Sequence, residues 1–442
     1  MSPTGQASRE FATDVVRQLR ASGYVALWAG GCVRDLLLGR GAKDFDVATS
    51  ATPDEVRALF GKKRTLAVGQ AFGVIIVLPP TRDAEPVEVA TFRTEGVYLD
   101  GRRPSEVSFS TPEEDAKRRD FTINGMFYDP LAEQVLDFVG GQADLDRKLL
   151  RAIGDPHARM AEDKLRMLRA VRFAATLEFE LDGQTLAAVQ QMAPEMRVVS
   201  AERIAQELRR VLAHDTRAQG FRLLVETGLL GVIFPEVLTE PASVDNESQR
   251  LPLTPALAQL KIIELSLSFL PADASFELGL AVLLHLVPCS LHEPRTPDEA
   301  SGTVWEITRR LKLSAEEMTA VAWLVSHLGC WDNAEQLTVA QLKRVLAHPR
   351  SPDLRSLVRA VRVASSLSLA PIQFVDDFVQ RQTPEQINPP ELLSGRDLIE
   401  QGLSPGPQFK ALLDTIRDAQ LDGEITTREQ ALDRLQALAH RD

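Results

Sequence analysis

Cysteine is nearly absent: three residues in 442, Cys32, Cys289 and Cys330, widely spaced and odd in number. A disulfide framework or a zinc cluster needs more thiols, set closer together, so a reducing compartment is the natural setting and a cytoplasmic location is expected. Long apolar runs are missing too. Leu278–Val287 is among the longest, is interrupted by Gly279 and His285, and falls short of the roughly 18 residues that cross a bilayer. No membrane span is expected. The first residues, MSPTGQASREFATDVVRQLR, have no apolar stretch followed by a small-residue cleavage site, so no secretory signal is expected. An excess of positive charge is also lacking. Fifty Lys and Arg against 62 Asp and Glu give −12, which excludes an indiscriminate polyanion binder but not a localised basic surface. Gly and Pro, 26 each, sit near average levels and rule out a collagen-like or linker-dominated chain. Neither a fixed-period repeat nor a low-complexity tract occurs. What is present is ordinary globular usage, 44% hydrophobic and 25% charged, at a length that corresponds to about three domains.

The pattern changes along the chain. Phe11, Val15, Val16 and Leu19 recur at helical spacing over 8–21. From Tyr24 to about Gly140, short apolar runs (Val25–Trp28, Val74–Leu78, Val87–Phe92, Val135–Val139) predict strands, with helices near Cys32–Leu38 and Pro53–Phe60. After Asp144 the 3.6-residue period dominates, in Glu162–Leu177, Leu186–Met192, Ala201–Ala213, Thr216–Thr227 and a series of further segments to the end. The expected architecture is an α/β head followed by a long all-helical remainder.

The head carries the chemistry. In LWAGGCVRDLLLGRGAKDFDVATS, Gly30-Gly31 closes a strand and opens a helix, where backbone N–H groups face an anion, and Arg34 on the first turn adds a charge-assisted contact to a phosphate. Downstream, Asp44-Phe45-Asp46 reads as strand. The period of two then places both carboxylates on one face and Phe45 and Val47 on the other. Two acids side by side repel unless a cation lies between them. Mg²⁺ suits hard oxygen ligands and bridges carboxylates to phosphates. Glu88, in PVEVATF on a strand able to pair beside this one, is the candidate third ligand; it reads equally well as a surface glutamate.

GGCVRDLLLGRGAKDFDVAT resembles the signature of the bacterial class II tRNA nucleotidyltransferase and poly(A) polymerase family, within the polymerase β-like nucleotidyltransferases. RRDFTINGM (118–126), EDKLRMLRAVRFA (162–174), SAERIAQEL (200–208) and a block at 392–432 resemble family motifs in family order. The resemblance implies transfer of a nucleoside monophosphate from CTP or ATP to an RNA 3′-hydroxyl, with Asp44 and Asp46 as metal ligands and Mg²⁺ as cofactor. By similarity Gly30, Gly31 and Arg34, with Arg118, Arg119, Asp120 and Asn124, would line the nucleotide site. It also implies a head (1–139), a helical neck (140–208), a helical body (209–372) and a helical tail (373–442) that grips the tRNA elbow.

In the neck, the family uses an acid and an arginine as a template made of amino acids, here Asp163 and Arg166. Cytosine and adenine both present an amino donor beside an unprotonated ring nitrogen; a carboxylate accepts from the first and a guanidinium donates to the second. Guanine and uracil reverse that order and leave both groups unpaired. Taken as structure alone, Asp163 and Arg166 form an ordinary helix ion pair. Lys164 stands where relatives usually have small residues. Arg147–Arg172 holds eight Lys or Arg against three Asp or Glu, and Arg169 and Arg172 are candidates for triphosphate or primer contacts.

Thr94–Pro104 resembles the flexible loop of members that add the terminal A, with Asp100 and Arg102 as its key pair. Full CCA addition is the expected activity; A-only addition, poly(A) synthesis and a non-catalytic RNA-binding role are the alternatives. Some relatives carry a His-Asp phosphohydrolase module after the neck, but here His285 is followed by Leu286, so it reads as a core or interface histidine. Lys410 and Arg417 in the tail are candidates to meet phosphates.

Overall fold

The computed structural model describes residues 3–42, 44–69, 73–95, 107–238, 255–287, 302–403 and 405–439. The chain divides into two compact units: 1–211 with 219–233, and 212–218 with 234–442.

In the first unit α1 (Pro3–Ala21) buries Phe11, Val15, Val16 and Leu19 against β1 (Ala26–Ala29). There follow α2 (Gly31–Leu37), β2 (Asp46–Thr49) and α3 (Pro53–Phe60). The start of α3 is written locally: Thr52 accepts from the Glu55 amide, Glu55 reaches back to the Thr52 amide, and Pro53 opens the first turn. Next come β3 (Thr65–Gly69), β4 (Val74–Val77), β5 (Val87–Thr91), β6 (Arg93–Glu95), β7 (Val107–Phe109), α4 (Pro112–Lys117), β8 (Phe127–Asp129), β9 (Gln134–Leu136) and α5 (Gly141–Asp146). Seven strands form one sheet in the order β3-β4-β5-β2-β1-β8-β9, while β6 and β7 pair separately.

Strand β2 lies near the centre, antiparallel to β1 and parallel to β5. Leu27, Ala29, Ala48, Phe92, Ala116 and Phe127 form one buried cluster of the head. Trp28, stacked on Tyr128 and 4.8 Å from Phe45, is fully buried on the opposite side of β1.

A short parallel pair, β10 (Leu149–Leu150) with β11 (Glu180–Leu181), accompanies α6 (Pro156–Glu162), α7 (Leu165–Leu177), α8 (Gly183–Met192), α9 (Ala201–Leu212), α10 (Arg217–Glu226) and α11 (Leu229–Ile233). The sequence pattern predicts one helix over 162–177. The structure instead breaks it at Asp163 and Lys164, which separate α6 from α7.

The described part of the second unit is helical, apart from short turns: α12 (Pro255–Ser268), α13 (Phe276–Leu284), α14 (Thr303–Arg310), α15 (Ala315–Ser326), α16 (Val339–Leu346), α17 (Ser351–Ala364), α18 (Ala370–Gln380), α19 (Pro384–Ile387), α20 (Gly395–Glu400), α21 (Pro407–Leu421) and α22 (Arg428–Ala439). Leu393, Leu398, Ile416, Ile425 and Leu435 close a small core around the last three. His285, just after α13, is buried with Nδ1 2.6 Å from the Val282 carbonyl oxygen, while its Nε2 has no hydrogen-bond partner among the described residues. Among the described residues no helix is long and apolar enough to cross a membrane.

Candidate active site

Sheet register assembles the head site. Ala29, the last residue of β1, is the antiparallel partner of Asp46, the first residue of β2; across β2, Asp46 is in register with Glu88 of β5. The Gly30 turn and two of the three acids therefore come to the same end of adjacent strands. Asp44 precedes the hydrogen-bonded strand, yet the alternation holds: Asp44 and Asp46 are exposed, Phe45 and Val47 buried. Both carboxylates thus avoid the core that their apolar neighbours enter.

The Asp46 carboxyl, open to solvent on one side but backed by the end of the sheet on the other, is pushed up to about 6, first by this partial loss of water and then by the charge of Glu88, with Arg119 acting against them and Asp44 adding a smaller push. A site in which acids repel one another fits a divalent cation. Among the described residues no three His, Cys, Asp or Glu side chains close around a common point. The donor set therefore suits a cation shared with oxygens of a phosphate substrate, rather than one enclosed by protein alone.

Around these acids stands a frame of arginines. Gly30 has φ 73° and ψ −130°, and a Cβ there would lie 3.1 Å from Arg119 Nη1, so glycine suits both the backbone and the approach of the guanidinium. Arg119 packs over Phe127 and pairs with Asp115 at 3.0 Å; Arg118 pairs with the same carboxylate at 2.7 Å. Arg34 Nη1 donates to Asn124 Oδ1 at 2.8 Å, and Asn124 Nδ2 donates to Asp120 Oδ1 at 3.1 Å. Asp120 accepts from Arg169 Nε and Nη2 at 2.9 and 2.6 Å. Burial raises the Asp120 carboxyl, but the charge and hydrogen bonds of Arg169, with Asn124 and Arg166, outweigh it and bring it down to about 2. Arg169 also lies 3.9 Å from Glu207, which holds Arg172 at 2.5 Å. Arg34, Arg169 and Arg172 all face the ring of Phe173.

Asp163 and Arg166 do not pair with each other as an ordinary helix ion pair would. Asp163 has extended backbone (φ −142°, ψ 106°); its Oδ1 accepts from the Leu165 amide at 3.1 Å and starts α7. Arg203 of α9 grips its carboxylate with Nη1 at 3.1 Å and Nη2 at 2.6 Å. Arg166 Nη1 donates to Glu162 at 2.5 Å and to the Arg159 carbonyl at 3.0 Å, while Nη2 donates to the Arg118 carbonyl at 3.2 Å. Each is held by these partners, which leaves one Oδ2 lone pair of Asp163 and two N–H groups of the buried Arg166 unused among the described residues.

The structure thus connects Gly30, Arg34, Arg118, Arg119, Asp120, Asn124, Arg169 and Arg172 in one frame and sets Asp46 beside Glu88. Asp100 and Arg102 lie outside the described residues. Sequence reasoning assigned no role to Asp115, Arg203 or Glu207, although the last two stand four apart in SAERIAQEL, the signal that could have found them.

Residues 26–151 match the family described as the poly A polymerase head domain, and residues 178–239 the one described as the probable RNA and SrmB- binding site of polymerase A. The fold and these matches define a nucleotidyltransferase of the polymerase β-like type, a class that generally uses divalent metal. Over 426 residues the chain is 34% identical to the CCA-adding enzyme of Geobacillus thermodenitrificans, covering 95% of each protein. With that of Levilactobacillus brevis it shares 32% over 428 residues, 96% of each. The crystal structure of Bacillus stearothermophilus CCA-adding enzyme in complex with CTP superimposes with a TM-score of 0.71 at 28% identity, covering 100% of this chain and 99% of that one. The chain belongs to the family of CCA-adding enzymes.

Proposed function

We propose that this chain adds CMP and AMP to the 3′ end of tRNA, without a nucleic-acid template, by Mg²⁺-dependent nucleotidyl transfer from CTP and ATP. One observation carries the reading: Asp46 is held in register with Glu88 and beside the Gly30 turn, next to Asp44, in a chain similar over nearly its whole length to CCA-adding enzymes. The 3′-oxygen of the RNA bonds to the α-phosphorus as the bond to pyrophosphate breaks. Asp44 and Asp46 would hold Mg²⁺, with Glu88 flanking, and a cation bound there would supply a lowered pKa for the attacking hydroxyl and charge neutralisation for the triphosphate. Arg34, Arg118 and Arg119, fixed by Asn124 and Asp115, orient the triphosphate, while Gly30 and Gly31 leave its backbone approach open. Arg169 and Arg172 extend this positive lining. The remaining Asp163 lone pair accepts from the amino group of cytosine or adenine, and Arg166 donates to the adjacent ring nitrogen.

The proposed division is a head of 1–139, a neck of 140–208, a body of 209–372 and a tail of 373–442, with the tail on the tRNA elbow and the enzyme working in the cytoplasm. The head match described for poly A polymerase favours a second reading, A-only addition or poly(A) synthesis. Incubating tRNA that lacks its 3′ CCA and, in parallel, tRNA ending in CC with Mg²⁺ and CTP, ATP or both separates them. The expected products are two added nucleotides with CTP alone and three with both triphosphates. A single A added only to tRNA ending in CC, or a ladder of A residues, would replace the proposal with one of the others, and no extension at all would reject catalysis.

A further inference from the structure

Lys164 follows Asp163 in the break between α6 and α7, at a place where a long cation has easy access to water. Its side chain is nevertheless only 16% exposed. Nζ turns over the end of α6, donating to the Ala161 carbonyl at 3.2 Å and lying 3.2 Å from Glu195 Oε2. The last carbonyls of a helix have no amide partner within it, and an ammonium at that end is favoured by its partial negative charge. Glu195 belongs to the short 3₁₀ turn Ala193–Val198, between α8 and α9.

Both residues of the break are therefore anchored from the stretch that runs from this turn into α9: Lys164 by Glu195, and Asp163 by Arg203 eight residues further on. Asp163 lies between two helices with extended backbone, so its direction is set by Arg203, by the Leu165 amide and by the turn that Lys164 and Glu195 hold, rather than by a continuous helix ladder. Selection by paired hydrogen bonds depends steeply on angle, and a small tilt of the carboxylate weakens the correct contact before it admits outright loss of binding. The geometry points to Lys164 as a positioning residue for nucleotide choice: with Glu195 it fixes the turn that presents the Asp163 carboxylate to the base. This rests on the base-reading role proposed above for Asp163 and Arg166.

The test is steady-state incorporation on a tRNA lacking CCA, comparing kcat/KM for CTP with that for UTP in the full-length chain. Lys164→Met keeps the stem and removes the charge, Glu195→Gln removes the partner charge from a half-exposed side chain, and Lys164→Arg keeps charge and reach. The CTP:UTP ratio is expected to fall about three- to tenfold in Lys164→Met and Glu195→Gln, mainly through KM for CTP, and to return close to the native value in Lys164→Arg. A merely structural contact would lower Tm and leave the ratio unmoved. Native discrimination, to within about 1.5-fold, in a folded Lys164→Met or in Glu195→Gln overturns the inference. Should Lys164→Met not fold, Glu195→Gln alone decides. Asp163→Ala, run in parallel, tells the two ideas apart: a native ratio there removes the base-reading role itself, whereas a collapsed ratio there with an unchanged one in Glu195→Gln removes only the part assigned to Lys164.

Discussion

Asp120 shows how one side chain connects the arginine frame to stability. It is buried, accepts two hydrogen bonds from Arg169 and one from Asn124, and through Asn124 it fixes Arg34. Its carboxyl titrates at about 2 in the folded chain, below its ordinary value of 3.8. A group depressed on folding contributes stability above its unfolded pKa and loses it as the pH falls through the folded one. The contribution, about 2 kcal/mol near neutrality, should therefore be intact above pH ~4 and fade towards pH ~2. Asp120→Asn keeps the shape but leaves Arg169 facing a neutral amide. It is expected to lose about 2–4 kcal/mol at pH 7, with the difference from the native chain narrowing below pH ~4. Urea unfolding followed across that range checks this, and a pH-independent difference would count against the Asp120–Arg169 charge pair as its source.

At the scale of elements, α5 braces the turn that carries Asn124 and, through it, the arginine frame. Asp137 accepts from the amides of Val139, Gly140, Gly141 and Gln142, and Thr122 Oγ1 donates to Asp144 at 2.7 Å. Helix α5 thereby lies so close to the turn Thr122–Asn124 that a Cβ on Gly141 would fall 2.4 Å from the Thr122 carbonyl oxygen. Backbone cannot yield to that at little cost. Gly141→Ala is expected to destabilise by about 1–3 kcal/mol and to raise KM for CTP by displacing Asn124 from Arg34 and Asp120. Thermal unfolding together with CTP kinetics tests both; a normal KM beside a lowered Tm would break the connection to the site. Elements whose causes are local were legible in the sequence. The start of α3 follows from Thr52, Pro53 and Glu55, and the alternation through Asp44–Val47 shows in the residues themselves. The break at Asp163 was not legible, because Leu165, Leu168 and Val171 keep helical spacing on its far side and the anchoring Arg203 is 40 residues away. The pairing of β2 with β5 also depends on a long-range register, so Glu88 stood out in sequence only as a strand residue able to lie near Asp46.

For the molecule as a whole, a net charge of −12 has to be reconciled with a polyanionic substrate. Most cations described above are spent inside the protein, Arg169 on Asp120 and Arg172 on Glu207 among them. The tail repeats this. Arg344 of α16 holds Asp414 and Asp418 of α21, and Lys343 donates to the Leu421 carbonyl. Arg417, expected from the sequence to meet phosphate, instead donates to the Pro389 carbonyl, to Asn388 and to Gln420, holding the segment before α20 in place. Lys410 differs. It is exposed, has no partner among the described residues, and lines a cavity of about 580 Å³ beside Arg344 and Arg417. On the tail proposed above to grip the tRNA, a lone solvated ammonium acts through phosphate charge, and each such contact contributes about one unit to the slope of log affinity against log salt. Lys410→Ala is therefore expected to weaken tRNA binding at low salt, to reduce that slope by about 0.7–0.9, and to leave both Tm and KM for CTP unchanged. Arg417→Ala should do the reverse, lowering Tm through the lost ties to residues 388–390 with a smaller change in salt slope. Filter binding of tRNA at several salt concentrations distinguishes them: an unchanged slope in Lys410→Ala, or a larger loss of slope in Arg417→Ala, would assign the phosphate contact to the residue that the fold has already committed elsewhere.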